Sequence, residues 1–423
     1  MVELRKYAVF GNPIMHSNSP NLFNSFAENN NLDSHYTRIY ARDKNELIHL
    51  FKKLELSGAN VTAPFKSDVL DLVSKVSENA GVLEIANIIL NEDGYLKAYN
   101  SDIEGVFHSL IKYKHKIKSA LVIGGGDSAK AAIYALRIFG IKRLAIYNRS
   151  IEKAYALAAE FQVQVCDERY LGVVSNEADL ILSTINPEAK AFNIIKPKKN
   201  AVLFDAVYKY SKLKEIAIQN DCDFIGGDQW LINQAKPTFE LFEGIEVNEK
   251  QLELYRDKSN MICLIGFMGA GKTTIGKLLS KKLNRHFIDL DELIEKSLGL
   301  TIEEIFLDKG VEKFRELEYE FLESIDLENT IISCGGGSIE LYKTRENLKN
   351  KFFNIYLFST FDQLYDRIEE SNRPLVNKLT QLELYELFLS RQDHYFDVSD
   401  YIIQNNGLED TLEILIEEIE SNF

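Results

Sequence analysis

Short runs of β-branched and aromatic residues alternate with stretches of helical periodicity along the whole chain. YAVFG, ALVIGGG, RLAIYN, DLILST, AVLFDAV, MICLIGF, TIISCGGG and NIYLF read as strands, with longer amphipathic stretches between them. Strands alternating with helices predict parallel sheets, so the expected fold class is α/β.

Two of these strands run straight into glycine-rich turns. Gly124-Gly125-Gly126 follows SALVI, and Gly266-Phe267-Met268-Gly269-Ala270-Gly271-Lys272-Thr273 follows MICLI. Each turn opens a helical stretch, which aims backbone N–H groups and a helix N-terminus at a phosphate. The turns differ in spacing and chemistry, so they are not copies of a repeat, and the chain is expected to carry two different nucleotide-binding folds. The polar stretch EVNEKQLELYRDKSNM separates them and places a linker near 256–259. It has no Pro/Gly/Ser-rich spacer, so the halves are expected to be joined closely.

Composition narrows the options. A chain of 423 residues allows two or three domains at roughly 150 residues each, and Gly 23 with Pro 7 is far below the roughly 25% typical of low-complexity chains. The net charge of −15 lacks the phosphate attraction that nucleic-acid binders depend on. A phosphate-bearing small molecule must then be held by local amides and cations. Cys166, Cys222, Cys263 and Cys334 form no C-x-x-C pair and no His stands at metal-ligand spacing, which suggests neither zinc nor a disulfide framework. The first residues do not read as a signal peptide, and no apolar run approaches the ~18 residues of a membrane span. The expectation is a cytoplasmic protein with small-molecule substrates and neither nucleic acid nor membrane as partner; a homo-oligomer stays open.

The first turn sits in a βαβ pattern, SALVIGGGDSAKAAIYALRIFG followed by RLAIYNRS. An NAD site places an acid at the end of the second strand to accept from the ribose 2′-OH. Here stand Asn148, Arg149 and Ser150, and Arg149 with Lys130 suits a 2′-phosphate, so NADP(H) is favoured. A tight turn and a solvated Arg are the plainer readings of the same residues. Upstream, HSNSP, GANVTAPFK, EIAN and YNSD gather hydroxyls, amides, one Lys and one Asp. Ser17, Ser19 and Thr62 suit a carboxylate or hydroxyls, and Asn60 and Asn87 suit ring oxygens. Lys66 and Asp102 are the acid/base candidates, because reducing a ketone by hydride requires one proton delivered to the forming alkoxide. Taken singly, each reads as a surface charge.

These motifs resemble shikimate dehydrogenase over residues 1 to about 255. YAVFGNPIMHSNSP is similar to the family's G-N-P-x-x-H-S-x-S-P opening, GANVTAPFK to its G-x-N-V-T-x-P-x-K, YNSD to its N-T-D, NRS to its N-R-T, and WLINQAKPTFELFEG to its closing helix. The resemblance implies that Lys66 and Asp102 are the catalytic pair and that Ser17, Ser19, Asn60, Thr62, Asn87 and Gln234 contact shikimate. It gives the cofactor Gly124, Gly125, Gly126, Asp127, Ser128, Ala129, Lys130, Asn148 and Arg149. It also implies a substrate lobe of residues 1–103, completed by 235–256, with a Rossmann NADP-binding lobe at 104–234 and the substrate in the cleft. The sequence departs from the family at Ala86-Asn87-Ile88, at Asp127 in the glycine loop, and at Ser183-Thr184-Ile185-Asn186.

The second turn satisfies G-x-x-x-x-G-K-[ST] between a strand and the helix TIGKLLSKKL. The motif is expected to wrap phosphates in backbone amides, with Lys272 reaching the β/γ oxygens and the Thr273 hydroxyl able to ligate Mg²⁺. HFIDLDELIE reads as the next strand, delivering Asp289 and Asp291 to one face, one for magnesium and one for the attacking hydroxyl; a capping role is the plainer alternative. Isolated arginines follow at 315, 367, 373 and 391, with Gly335-Gly336-Gly337 after another strand. Together these resemble shikimate kinase over 260–423, a P-loop, NMP-kinase-like α/β domain. The resemblance implies that Asp291, Arg315, Gly336 and Arg391 hold shikimate, and that Gly269, Ala270, Gly271, Lys272, Thr273 and Thr274 cradle ATP. Arg367 would border adenine, Arg373 would lie on the mobile lid, and Thr273 and Asp289 would hold magnesium. Lys272, Asp291 and Arg373 would then carry the chemistry.

The two resemblances reinforce one another, because the product of the first reaction is the substrate of the second. They imply a bifunctional enzyme that reduces 3-dehydroshikimate with NADPH and then phosphorylates shikimate. A kinase carrying a silent or quinate/shikimate-type dehydrogenase-like lobe is the alternative.

Overall fold

The computed structural model describes residues 4–207, 210–247, 260–369 and 379–423. The first strands are β1 (Arg5–Gly11), β2 (Ser34–Tyr40) and β3 (Gly58–Val61). Then come β4 (Lys75–Val76), β5 (Ile88–Glu92), β6 (Tyr95–Tyr99), β7 (Ser119–Ile123), β8 (Arg143–Tyr147), β9 (Gln164–Val165), β10 (Leu180–Ser183), β11 (Val202–Asp205) and β12 (Asp223–Ile225). The last are β13 (Ile262–Ile265), β14 (His286–Asp289), β15 (Thr330–Ser333), β16 (Phe353–Phe358) and β17 (Tyr401–Gln404). No helix among the described residues is long and apolar enough to cross a membrane.

The chain divides into two compact units, Met1–Ala63 with Tyr255–Phe423, and Pro64–Leu254. In the first, the strand order β14-β15-β13-β16-β17-β2-β1-β3 is parallel at every junction. This grouping differs from the expected lobe of residues 1–103, because β2 continues the sheet of the carboxyl-terminal half. Tyr401 stands opposite Arg38 and Ile402 opposite Ile39. Side chains reinforce the seam. Lys6 Nζ donates to Asp393 at 2.8 Å, and His35 Nε2 lies 2.8 Å from the Ser399 carbonyl. Arg42 reaches both Asp410 and Glu46.

In the second unit a six-stranded parallel sheet runs β12-β11-β10-β7-β8-β9. Its inner strands β11, β10, β7 and β8 are almost wholly buried because both faces are covered, whereas the edge strands β12 and β9 are partly exposed. Ala120 and Val122 of β7 pack with the helices Asp102–Leu110 and Asp127–Ile138. Leu121 and Ile123 face a separate cluster with Leu203 and Leu213. The expectation of parallel strands fails at β5 and β6, which pair antiparallel across the Asp93-Gly94 turn.

Candidate functional site

Within Pro64–Leu254, burial and hydrogen bonding converge on Lys66 and Asp102. Lys66 Nζ lies 2.5 Å from Asp102 Oδ2, with only 10% and 6% of the side chains exposed. Asp102 opens the helix Asp102–Leu110, and its amide donates to Asn100 Oδ1 at 3.0 Å. The Ala86 amide donates to the Lys66 carbonyl at 2.9 Å, tying the two motifs together. Asn87 Oδ1 accepts from the Ser101 amide at 2.8 Å, and its Nδ2 donates to Ser101 Oγ at 3.2 Å. Thr238 Oγ1 lies 3.0 Å from the same Ser101 Oγ. Ser101 and Thr238 were missed by sequence reasoning although each lies inside a quoted motif. The helix Gly227–Glu243 carries Gln234, whose Oε1 is buried without a hydrogen-bond partner among the described residues, as is Glu104 Oε2. Burial raises the Glu104 carboxyl above its ordinary range. A buried ammonium–carboxylate pair with an unfilled amide oxygen in the same unit suits a hydroxylated substrate that takes one proton.

The turn after β7 has the geometry of a phosphate approach. Gly124 has φ +136, and a Cβ there would lie 2.1 Å from Thr184 Oγ1, so only glycine fits. Gly126 caps the helix Asp127–Ile138, which begins with Asp127, Ser128 and Ala129. Asp127 therefore occupies the first helical position, where the helix dipole favours an acid. Lys130 pairs with Glu160 at 2.9 Å, while Arg149 stands exposed just past β8. Asn148 Nδ2 donates to the Ser150 carbonyl at 2.9 Å.

The other predicted substrate residues, Ser17, Ser19, Asn60 and Thr62, lie in the first unit and are partly buried. Ser17 Oγ accepts from the Ser19 amide at 3.3 Å, where the helix Ser19–Asn29 begins. Asn60 Oδ1 accepts from Tyr36 Oη at 2.7 Å, which fixes the orientation of its amide.

The carboxyl-terminal site lies wholly in the first unit. Gly269 has φ +80, and a Cβ there would approach Ile368 Cγ2 to 2.7 Å. Lys272 Nζ folds back on the carbonyls of Gly266 at 2.7 Å and Phe267 at 3.1 Å. Thr273 and Thr274 stand exposed on the first turn of the helix Lys272–Lys282. Arg367 reaches the carbonyls of Gly269 at 3.4 Å and Asn405 at 2.9 Å. Asn405 Nδ2 donates to the Ala270 carbonyl at 2.9 Å, a brace the sequence did not signal. Arg373 lies outside the described residues.

β14 ends at Asp289, which corrects the expectation of one strand carrying both acids. The Asp289 carboxylate caps the helix Leu290–Leu298 by accepting from the amides of Asp291 and Glu292, and that bonding stops the strand. Asp291 therefore sits on the first turn of a helix. Asp289 Oδ2 also accepts from Thr273 Oγ1 at 2.7 Å, and Ser333 Oγ lies 3.3 Å from that hydroxyl. Thr273 and Asp289 are hard oxygen donors that fit magnesium, although no group of three acids, His or Cys is gathered as a metal cage among the described residues.

Beside this turn opens a cavity of about 470 Å³ lined by Asp291, Arg315, Glu318, Gly336 and Arg391. Arg315 pairs with the buried Glu318 at 2.6 Å. Glu340 bridges the two arginines, accepting from Arg315 Nε at 2.9 Å and Arg391 Nε at 2.9 Å. Burial alone would raise the Glu340 carboxyl, but the Arg391 and Arg315 guanidiniums outweigh it and hold it low. Burial, with help from Glu318 and Asp289, pushes Asp291 up to about 6. Two arginines aimed at one carboxylate and a basic Asp make a pocket for a small hydroxylated acid. Glu318, three residues after Arg315, was not among the site residues expected from the sequence. Glu340 carried no signal.

Family models match this chain in three places. They are the shikimate dehydrogenase substrate binding domain at residues 9–89, shikimate / quinate 5-dehydrogenase at 108–203, and shikimate kinase at 268–420. The chain is 32% identical over 256 residues to shikimate dehydrogenase (NADP(+)) of Maridesulfovibrio salexigens, covering 58% of this chain and 93% of that one. It is 40% identical over 169 residues to shikimate kinase of Bacillus licheniformis, covering 38% and 93%. The crystal structure of shikimate 5-dehydrogenase from Thermus thermophilus in complex with NADP(H) and shikimate superposes with a TM-score of 0.52. It is 25% identical and covers 58% of this chain and 95% of that one.

Proposed function

We infer the roles below from a chain that belongs to two families, the shikimate dehydrogenases through its amino-terminal part and the shikimate kinases through its carboxyl-terminal part. It is a bifunctional enzyme of the shikimate pathway, using NADP(H) for one step and ATP for the other. The first step reduces the ketone of 3-dehydroshikimate to shikimate with NADPH. The second transfers the γ-phosphoryl of ATP to the 3-hydroxyl of shikimate, releasing ADP and a proton.

The observation that carries the first reading is the buried pair of Lys66 and Asp102 at 2.5 Å. Lys66 delivers a proton to the forming alkoxide as hydride arrives at the carbonyl carbon, and Asp102 holds the ammonium in place. Gln234 and Asn87 orient hydroxyls, and Ser17 and Ser19 take the substrate carboxylate. Arg149 pairs with the 2′-phosphate that distinguishes NADPH from NADH. In the second reaction Lys272 neutralises the transferring phosphoryl, Asp291 accepts the hydroxyl proton, and Arg315 and Arg391 exchange Glu340 for the substrate carboxylate. Magnesium, held through Thr273 and Asp289, would supply further charge neutralisation on the phosphates.

We assign residues 1–103 with 235–256 to the dehydrogenase substrate lobe, 104–234 to its NADP lobe and 260–423 to the kinase. We assign the cytoplasm as its compartment because Cys166, Cys222, Cys263 and Cys334 are free thiols. The test is a two-substrate assay on the whole chain. NADPH consumption on adding 3-dehydroshikimate and ADP release on adding shikimate are expected. A chain that performs only the second is a kinase with a silent lobe, and NAD-dependent oxidation of quinate identifies the quinate-type alternative.

A further inference from the structure

The loop that leads into Ser17 and Ser19 is held by the kinase half. Glu418, on the helix Leu408–Glu420, is 2% exposed, and its carboxylate accepts from two consecutive backbone amides of the loop. Ile14 N donates to Oε1 at 2.8 Å, and Met15 N donates to Oε2 at 3.0 Å. Two residues on, the Ser17 carbonyl accepts from Arg38 Nε at 2.8 Å, and Arg38 Nη1 donates in turn to the Asp400 carbonyl beside β17 at 3.1 Å. The Ser17 amide closes the turn on the Ile14 carbonyl at 3.0 Å. Ser17 is thus fixed on both sides by partners more than 350 residues away in sequence or by a side chain that such a partner holds. On the kinase side Glu418 also accepts from Tyr401 Oη at 3.3 Å, and it is not among the residues that line the cavity of Asp291, Arg315 and Arg391.

A buried carboxylate is costly unless its oxygens are satisfied, and here loop amides satisfy them. A loop of the sequence Gly-Asn-Pro-Ile-Met-His would otherwise leave two amides to find water. We propose that Glu418 is a positioning residue of the dehydrogenase site, supplied by the kinase half, which holds the Ile14–Ser19 segment where Ser17 and Ser19 meet the substrate carboxylate. The proposal rests on the reading of Ser17 and Ser19 as substrate contacts. Its consequence is that dehydroshikimate affinity depends on a residue outside the dehydrogenase sequence.

The experiment is steady-state kinetics of both reactions on the whole chain with Glu418→Ala and Glu418→Gln. Removing a charged acceptor from two amides is expected to raise the KM for 3-dehydroshikimate about tenfold in Glu418→Ala. The KM for NADPH and both kinase constants should hold within about twofold. Glu418→Gln, which fills the same space and keeps one acceptor oxygen, should fall between Glu418→Ala and the parent. Asp393→Asn, which weakens the same seam through Lys6 without touching the loop, should leave the dehydroshikimate KM unchanged. An unchanged KM in both Glu418 variants overturns the proposal. So does a parallel fall of both activities in Glu418→Gln, or an equal KM rise in Asp393→Asn, since either reduces Glu418 to general seam stability. A parent chain that fails to oxidise NADPH defeats the dehydrogenase reading instead.

Discussion

The turn after β7 and the turn after β13 both carry a buried strand into a helix, but they take their positive charge from different places. The first contains no cation, and its helix opens on Asp127; Lys130 is engaged by Glu160, and Arg149 comes from the end of the next strand. The second carries Lys272 inside the turn, folded onto its own carbonyls, with Arg367 and Asn405 bracing the loop from outside. On the roles proposed above, the difference follows from the phosphates. A dinucleotide is a bound reactant whose pyrophosphate does not change, so amides and a helix end suffice to hold it. A phosphoryl group in transfer develops charge that must be met by a cation already in place.

Removing the built-in cation should therefore do the most damage. Lys272→Ala is expected to lower kinase kcat/KM by about 10³-fold while NADPH oxidation stays within about twofold, as measured in parallel on one preparation. Equal loss of both activities in folded protein would erase the contrast. Lys66→Ala should lower dehydrogenase kcat by roughly 10²-fold or more and spare phosphorylation. It also leaves Asp102 buried without its ammonium, so a lower thermal midpoint is expected from calorimetry. The smallest effect belongs to the borrowed cation. Arg149→Ala should raise the KM for NADPH about tenfold and leave that for NADH unchanged, because only the 2′-phosphate is lost as a partner. A similar rise for both nucleotides would place Arg149 on the pyrophosphate instead.

What the sequence made legible was local. Eight apolar runs became strands, both glycine turns stand between a strand and a helix, and YNSD and GANVTAPFK name the residues that the fold pairs at Lys66 and Asp102. The assignment of Asp289 and Asp291 to one strand failed because HFID-LDELIE carries both periods, and the cap at Asp289 decides where one gives way to the other. Glu340, Asn405 and Glu418 were beyond reach for a different reason. Each acts on a partner at least 25 residues away, 135 for Asn405 on Ala270 and 404 for Glu418 on Ile14, and tertiary packing alone brings such groups together. The grouping of residues 1–63 with the carboxyl-terminal half escaped for the same reason, since nothing in either strand says which edge it will meet.

The union of β2 and β17 bears on how this polypeptide survives in a crowded solution. An outermost strand presents a row of unsatisfied amides and carbonyls, an invitation to self-association into fibrous or amorphous deposits. Here two such rims cover one another inside a single molecule. Cutting the gene between its two reading segments would therefore lay bare a sticky border on each product, and the pieces should precipitate at concentrations where the intact chain stays clear.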